Sequence, residues 1–301
     1  MLGATMLLRL AITISVLAFA GLAWAGTETA SAGLSLGVAA ALGAVQGATE
    51  FLPVSSSGHL ALAQAFFGVD PETGGHRFSI VAHAGTLLAV VWMYRREVLE
   101  LAMVPLRPMT DSPARQTLIM MFIATLPLGL VLMPGVEDAI VTVESHPRLV
   151  GVCLLATAAI LFFAFRRPSE AGDEENLQPP SPKQAILVGM AQLFAVLPGI
   201  SRSGSTIAAG LGLGMDRAAA ARFSFLISIP AILGALTREV TKLGDEAGSI
   251  DPLPYVVGFA VSFVVGLACL RLLLALVRRG RIGGFVVYLG LVGLAAVIWG
   301  S

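Results

Sequence analysis

Charge is what this chain has least of. Asp, Glu, Lys and Arg make up 13% of its 301 residues, where a soluble domain carries about 25%, so a soluble globular protein is excluded. The charge present cancels, with nineteen basic residues against nineteen acidic ones. No bulk basic character remains to attract nucleic acid. Cysteine is almost missing. Cys153 and Cys269 both fall inside apolar runs, too few and too far apart for a disulfide or metal framework, and they read as buried thiols. What remains is apolar: 56% hydrophobic residues and a mean hydropathy of +0.85. This is an integral membrane protein, with room for about eight spans.

The first 25 residues form a separate piece. Arg9 precedes an apolar run from Leu10 to Leu22, and Ala23-Trp24-Ala25 offers a small-x-small cleavage site. The pattern is that of a secretory signal peptide, with an uncleaved extra N-terminal helix as the alternative. Either way Gly26 emerges outside the cytoplasm. Residues 26–301 form a single polytopic membrane domain.

Six apolar runs can span: Phe78–Tyr94, Thr117–Met133, Leu149–Phe165, Phe223–Thr237, Pro254–Val277 and Phe285–Trp299. The fourth and sixth are short and need flanking residues to complete a crossing. Two runs of 12 residues, Leu34–Val45 and Ala185–Val196, have the length of re-entrant helices. Each leads into a Leu-Pro pair and then into Ser-x-Ser-Gly. The first copy is Leu52-Pro53-Val54-Ser55-Ser56-Ser57-Gly58-His59, and the second is Leu197-Pro198-Gly199-Ile200-Ser201-Arg202-Ser203-Gly204-Ser205-Thr206. Short helices are expected after each, over Leu60–Phe67 and Ile207–Leu213.

The Ser-Gly pairs are 146 residues apart, and the triplets Arg77-Phe78-Ser79 and Arg222-Phe223-Ser224 are 145 apart. One shared offset indicates an internal duplication, with halves at about 34–134 and 185–277 and a final helix at 285–299. Three spans between the copies make the repeat inverted, with broken helices meeting near the midplane. The expected fold is therefore an all-α membrane protein of six transmembrane helices and two re-entrant helix-loop-helix units. Basic residues agree with it. Segments assigned to the cytoplasm hold twelve Lys and Arg, and external segments hold four. The largest loop, Arg166–Gln184, reads as a solvated linker.

Polar groups at membrane depth are costly unless they line an enclosed cavity. Arg202 is the first candidate, because its planar fork suits bidentate phosphate contact. Ser201, Ser203, Ser205 and Thr206 surround it with hydroxyls. A helix restarting after the loop aims a positive dipole end at the same place. Glu50 is the second. It shares a helical face with Gln46 at i,i+4, and it needs a cation, a metal or a proton to be tolerable. His59 follows the first Ser-x-Ser-Gly directly. Ser55, Ser56 and Ser57 are candidate nucleophiles or loop-formers. His83 and Thr86 are weaker candidates on the following span, and His76 and His146 read as surface residues. A salt bridge between Glu50 and Arg202 is the structural alternative to chemistry.

Residues 46–59 and 198–206 together resemble the two motifs of the undecaprenyl-diphosphate phosphatase family, the bacitracin-resistance protein type, and the resemblance covers roughly 34–299. It implies a hydrolase of the bacterial plasma membrane whose site opens to the external side. The implied reaction removes the terminal phosphate of undecaprenyl diphosphate, recycling the lipid carrier for peptidoglycan and conferring bacitracin resistance. It also implies a divalent cation, Mg²⁺ or Ca²⁺, at Glu50 and Gln46. Some family members carry glutamate where this chain has Gln46, which puts more of the ligation on Glu50. The expected catalytic set is Glu50, His59, Ser56 and Arg202. Ser55, Ser57, Ser201, Ser203 and Thr206 are expected to join Arg202 on the diphosphate. Ser56, with Ser55 as alternative, attacks phosphorus while Glu50 or His59 handles the proton; the rival is water activated by Glu50. The partner is a membrane lipid, not nucleic acid, and self-association stays open.

Two other readings compete. An inverted-repeat transporter of a phosphorylated lipid or organic anion explains Arg202 but not the different residues of the two copies. The type-2 phosphatidic-acid phosphatases share Ser-Gly-His and Ser-Arg pieces, but their pattern needs His and Asp where this chain has Ala208 and Gly212.

Overall fold

The computed structural model describes residues 34–69, 75–106, 112–166, 169–172, 178–242 and 251–299. The leader-like segment 1–25 lies outside them. Among the described residues the chain is all helix, with no strand. Helix α1, Leu36–Phe51, starts where Ser35 Oγ accepts the Val38 N–H at 3.3 Å. It stops as Leu52 turns extended ahead of Pro53. Then come α2, Ser56–Phe66, and α3, His76–Met93, which bends by 85° into α4, Arg95–Met103. Helix α5, Pro113–Thr125, is capped by Ser112 and continues as 3-10 helix over Leu126–Leu132. Helix α6 is Val136–Glu144 and α7 is Pro147–Arg166. Helix α8, Pro182–Phe194, opens with a capping box between Ser181 and Gln184 and with Pro182 in its first turn. The remainder are α9, Arg202–Gly212; α10, Arg217–Lys242; α11, Leu253–Arg278; and α12, Gly283–Trp299.

Among the described residues, four helical segments are long and apolar enough to cross a membrane: Pro113–Leu132, Pro147–Arg166, Arg217–Arg238 and Leu253–Arg278. The bent pair α3–α4 makes a fifth, and α12 is an apolar helix of 17 residues. The chain is a multi-pass membrane protein. The fourth expected span, which looked short in sequence, lies within the 26 residues of α10. The linker helps to start α10: Glu170 and Ala171 carbonyls accept the Arg217 and Ala218 N–H groups at 3.0 Å each, satisfying donors that a helix start leaves open.

Three boundaries differ from expectation. Helix α2 begins at Ser56 rather than Leu60, and α9 begins at Arg202 rather than Ile207. In the second copy the reason is local. Ser201 Oγ caps the Gly204 N–H at 3.2 Å, so a helix can start right behind it. The segment 134–148, expected as loop, contains α6.

The helices sort into two compact units. The first combines the described residues up to Leu52 with Ser56–Ala89 and Ile232–Leu272. Its core holds Ala39, Leu42, Leu60, Phe78 and Ala82. Helix α1 lies so close to α11 that a Cβ on Gly43 would sit 2.6 Å from the Gly258 carbonyl oxygen. Close backbone approach of this kind is how helices associate without a hydrophobic driving force. The second unit is Pro53–Ser55, Val90–Ala231 and Leu273–Ser301. Here α7 packs along α12, and α8 lies against α5 at Gly189, where a Cβ would collide with the Ala124 carbonyl oxygen.

Several element bounds and contacts recur at one offset. Helices α2 and α9 are each 11 residues long, and both their starts and their ends are 146 positions apart. Gly43 and Gly189, at the same offset, each mark a close backbone contact with another helix. In both copies the serine of Arg-Phe-Ser ties its helix to the preceding short one. Gln64 Nε2 donates to Ser79 Oγ at 3.1 Å, and Thr206 Oγ1 shares a 2.5 Å hydrogen bond with Ser224 Oγ.

Candidate active site

In the first unit the chemistry gathers on one carboxylate atom. Glu50, 8% exposed, lies in the last turn of α1. Its Oε2 accepts from Gln46 Nε2 at 3.0 Å, confirming the shared face that the i,i+4 spacing predicts. The same oxygen accepts from Ser56 Oγ at 2.7 Å. Ser56 is the first residue of α2, so the carboxylate stands at a positive helix end. His83 Nε2 lies 3.7 Å from Glu50 Oε2, while its Nδ1 is 2.7 Å from the Ser79 carbonyl oxygen. A carbonyl only accepts, so Nδ1 carries a proton. The Nε2 proton then exists only on the imidazolium, where it faces Glu50. His83, a weaker candidate in sequence, is thus placed at the carboxylate. Thr86, fully buried, spends its hydroxyl on the His83 carbonyl at 3.0 Å. His59 is half-buried and Ser57 exposed, both in the first turns of α2.

The second broken loop is held by its backbone. Gly199 has φ 94°, and a Cβ there would sit 2.6 Å from the Val150 carbonyl oxygen, so only glycine fits. Its N–H donates to Ser55 Oγ at 3.1 Å. Ser55 itself has φ 70°, the one non-glycine residue with positive φ among the described residues. That conformation costs on the order of 1–3 kcal/mol. Thr157 on α7 completes the latch: its Oγ1 donates to the Gly199 carbonyl at 3.0 Å and accepts the Ser201 N–H at 3.1 Å.

Behind that latch α9 begins with the candidate anion groups. Ser201 is its N-cap, Arg202 its first residue, and Ser203 Oγ is 3.3 Å from Ser201 Oγ. A guanidinium beside a positive helix end concentrates potential of one sign, which favours an anion there. Thr206 is fully buried. It donates to the Arg202 carbonyl at 2.8 Å and bonds Ser224, so the structure places its hydroxyl in helix packing.

Thr157 and Gln192 were missed in the sequence. Thr157 sits in an ordinary-looking span with no signal of its role. Gln192 had one: it stands 146 residues after Gln46. It is 2% exposed, and neither amide atom has a hydrogen-bond partner among the described residues.

The donor set bears on a metal ion. Gln46 Oε1 is buried with no hydrogen-bond partner among the described residues. It is an oxygen donor beside the Glu50 carboxylate and the Ser56 hydroxyl. Hard oxygen donors around one carboxylate suit Mg²⁺ or Ca²⁺ when substrate phosphates complete the shell, so these residues fit the implied ion. No group of three or more His, Cys, Asp or Glu gathers among the described residues.

A family model described as bacitracin resistance protein BacA matches residues 39–295. Similar curated proteins carry the name undecaprenyl-diphosphatase. That of Desulfatibacillum aliphaticivorans is 42% identical over 275 residues, covering 85% of this chain and 96% of that protein. That of Rubrobacter xylanophilus is 39% identical over 264 residues, covering 85% and 94%. That of Methanosphaera stadtmanae is 36% identical over 273 residues, covering 85% and 95%.

Proposed function

This chain belongs to the bacitracin resistance protein BacA family, and on that premise we propose that it hydrolyses undecaprenyl diphosphate to undecaprenyl phosphate and phosphate. The reaction returns the lipid carrier to peptidoglycan synthesis and underlies bacitracin resistance. The observation that carries the mechanism is the 2.7 Å hydrogen bond from Ser56 Oγ to Glu50 Oε2, which has the geometry of a nucleophile and its base.

Ser56 Oγ attacks the terminal phosphorus while Glu50 accepts its proton. The bond from phosphorus to the bridging oxygen breaks, and undecaprenyl phosphate leaves with that oxygen. Water then attacks the phosphoserine and gives its proton to His59, the bond from phosphorus to Ser56 Oγ breaks, and Glu50 returns its proton to that oxygen as phosphate leaves. His59 supplies a proton to the leaving phosphate, and His83, whose Nε2 is 3.7 Å from Glu50 Oε2, helps to orient the carboxylate. Ser55 is the weaker nucleophile, because its hydroxyl is engaged by Gly199. Arg202, Ser201 and Ser203 neutralise charge on the diphosphate, which is usually the largest catalytic term. Glu50 and Gln46, whose Oε1 has no hydrogen-bond partner among the described residues, would hold a Mg²⁺ or Ca²⁺ ion, which would supply further neutralisation of phosphate charge. Both motifs fall within residues 39–295, which the family model matches, and this reading gives them a shared substrate.

The phosphate-release assay on detergent-purified protein tests this. Undecaprenyl diphosphate should yield phosphate, EDTA should suppress the release, and Mg²⁺ or Ca²⁺ should restore it. Full activity in chelator removes the metal from the scheme. No release at all favours a transporter of phosphorylated lipid.

The membrane arrangement belongs to the same proposal: six spans and two re-entrant units in an inverted repeat, in the bacterial inner membrane, with the site opening outward. Support comes from the 146-residue correspondence of α2 and α9 and from twelve basic residues against four. A reporter fused near Gly172 should read cytoplasmic and one near Gly248 external. The reverse at either position overturns the scheme.

A further inference from the structure

Resting on the phosphatase reading, we propose that a groove along α9 receives the first isoprene units of the prenyl diphosphate. The cavity measures about 490 Å³ and is lined by Phe163, Phe194, Ile200, Ser205, Ala209 and Gly212, among others. Small-molecule sites run from roughly 300 to 1,000 Å³. Residues 205, 209 and 212 recur at steps of four and three, so they share one face of α9. That helix opens with Arg202. The groove therefore starts one turn beyond the anion groups and follows the helix away from them.

An apolar groove in a membrane protein is ordinarily filled by bilayer acyl chains. Two observations favour the substrate instead. Ser205 is 5% exposed and lines the cavity, and its Oγ has no hydrogen-bond partner among the described residues. A hydrocarbon chain leaves that buried hydroxyl unsatisfied, which is costly. The ester oxygen that joins a diphosphate to its first isoprene satisfies it. In addition, Ser205 follows Arg202 by three residues just as His59 follows Ser56, and the two pairs are 146 positions apart. Along α9 the order is cation, hydroxyl, apolar face. Along a prenyl diphosphate it is phosphate, ester oxygen, hydrocarbon.

The test compares kcat/KM for undecaprenyl diphosphate with that for isopentenyl diphosphate, which carries a single isoprene. A Cβ at Gly212 meets no heavy atom within 4 Å, so the position has room for Gly212→Phe to project into the far end of the groove. It should lower kcat/KM for the long substrate about tenfold or more and leave the short one within about twofold. Ser205→Ala should lower both by roughly tenfold, since both have the ester oxygen. Equal effects of Gly212→Phe on the two substrates, or none on either, overturn the groove. Independently of turnover and of any substitution, an undecaprenyl diphosphate analogue with a photoreactive group on its second isoprene should label Phe163 or Phe194. Labelling only elsewhere also overturns the groove. Failure of the phosphatase reading appears separately, as absent phosphate release from both substrates by the unsubstituted protein.

Discussion

Ser56→Ala is expected to lower turnover of undecaprenyl diphosphate by about 10⁴-fold or more, as removal of an attacking nucleophile does in other hydrolases. Glu50→Gln should cost on the order of 10²–10⁴, the usual worth of a positioned general base. The double variant should fall little further than Ser56→Ala alone, because the 2.7 Å hydrogen bond makes the two residues one unit. Stopped-flow phosphate release measures all three. A loss of tenfold or less in Ser56→Ala gives the attack to water activated by Glu50, with Ser56 only orienting it. Ser55→Ala is the comparison. Its hydroxyl holds Gly199, so a loss like that of any single hydrogen bond is expected, about 1 kcal/mol.

Arg202→Lys should reduce kcat by roughly 10²–10³, because lysine keeps the charge and loses the planar fork. The variant should insert and purify like the parent, since Thr157, Ser55 and the cap of Ser201 hold the second loop. The double variant Arg202→Lys/Glu50→Gln should be impaired much less than multiplicatively if both residues serve one transition state. Turnover near that of the parent in Arg202→Lys removes the phosphate clamp and leaves a structural ion pair as the better reading.

Much of the site was legible because its chemistry is alien to its surroundings. Gln46 and Glu50 on one helical face, and an arginine among hydroxyls at membrane depth, can be read from spacing and cost alone. The duplicated Arg-Phe-Ser triplets likewise marked where long helices follow short ones. What could not be read was which serine does what. Ser55 and Ser56 are adjacent and chemically identical, yet one has positive φ and binds a backbone amide while the other binds the carboxylate. Thr157 was hidden for a different reason. A threonine in an apolar helix usually bonds its own backbone four residues back, and Thr157 does lie 3.1 Å from the Cys153 carbonyl. Its second contact, 42 residues away at Gly199, has no local signature. Helix starts at Ser56 and Arg202 were missed because serine clusters next to proline and glycine look like loop.

A helix that turns through 85° after eighteen residues cannot adjust its depth by sliding. Helix α3 rises about 27 Å over that length, slightly less than the roughly 30 Å hydrocarbon layer of a typical bilayer. Helix α11, with 26 residues, rises about 39 Å and must tilt or project. One helix is thus shorter than the hydrocarbon layer and another longer. Thick bilayers load the short helix and thin ones load the long helix, each at fractions of a kcal/mol per Å of mismatch.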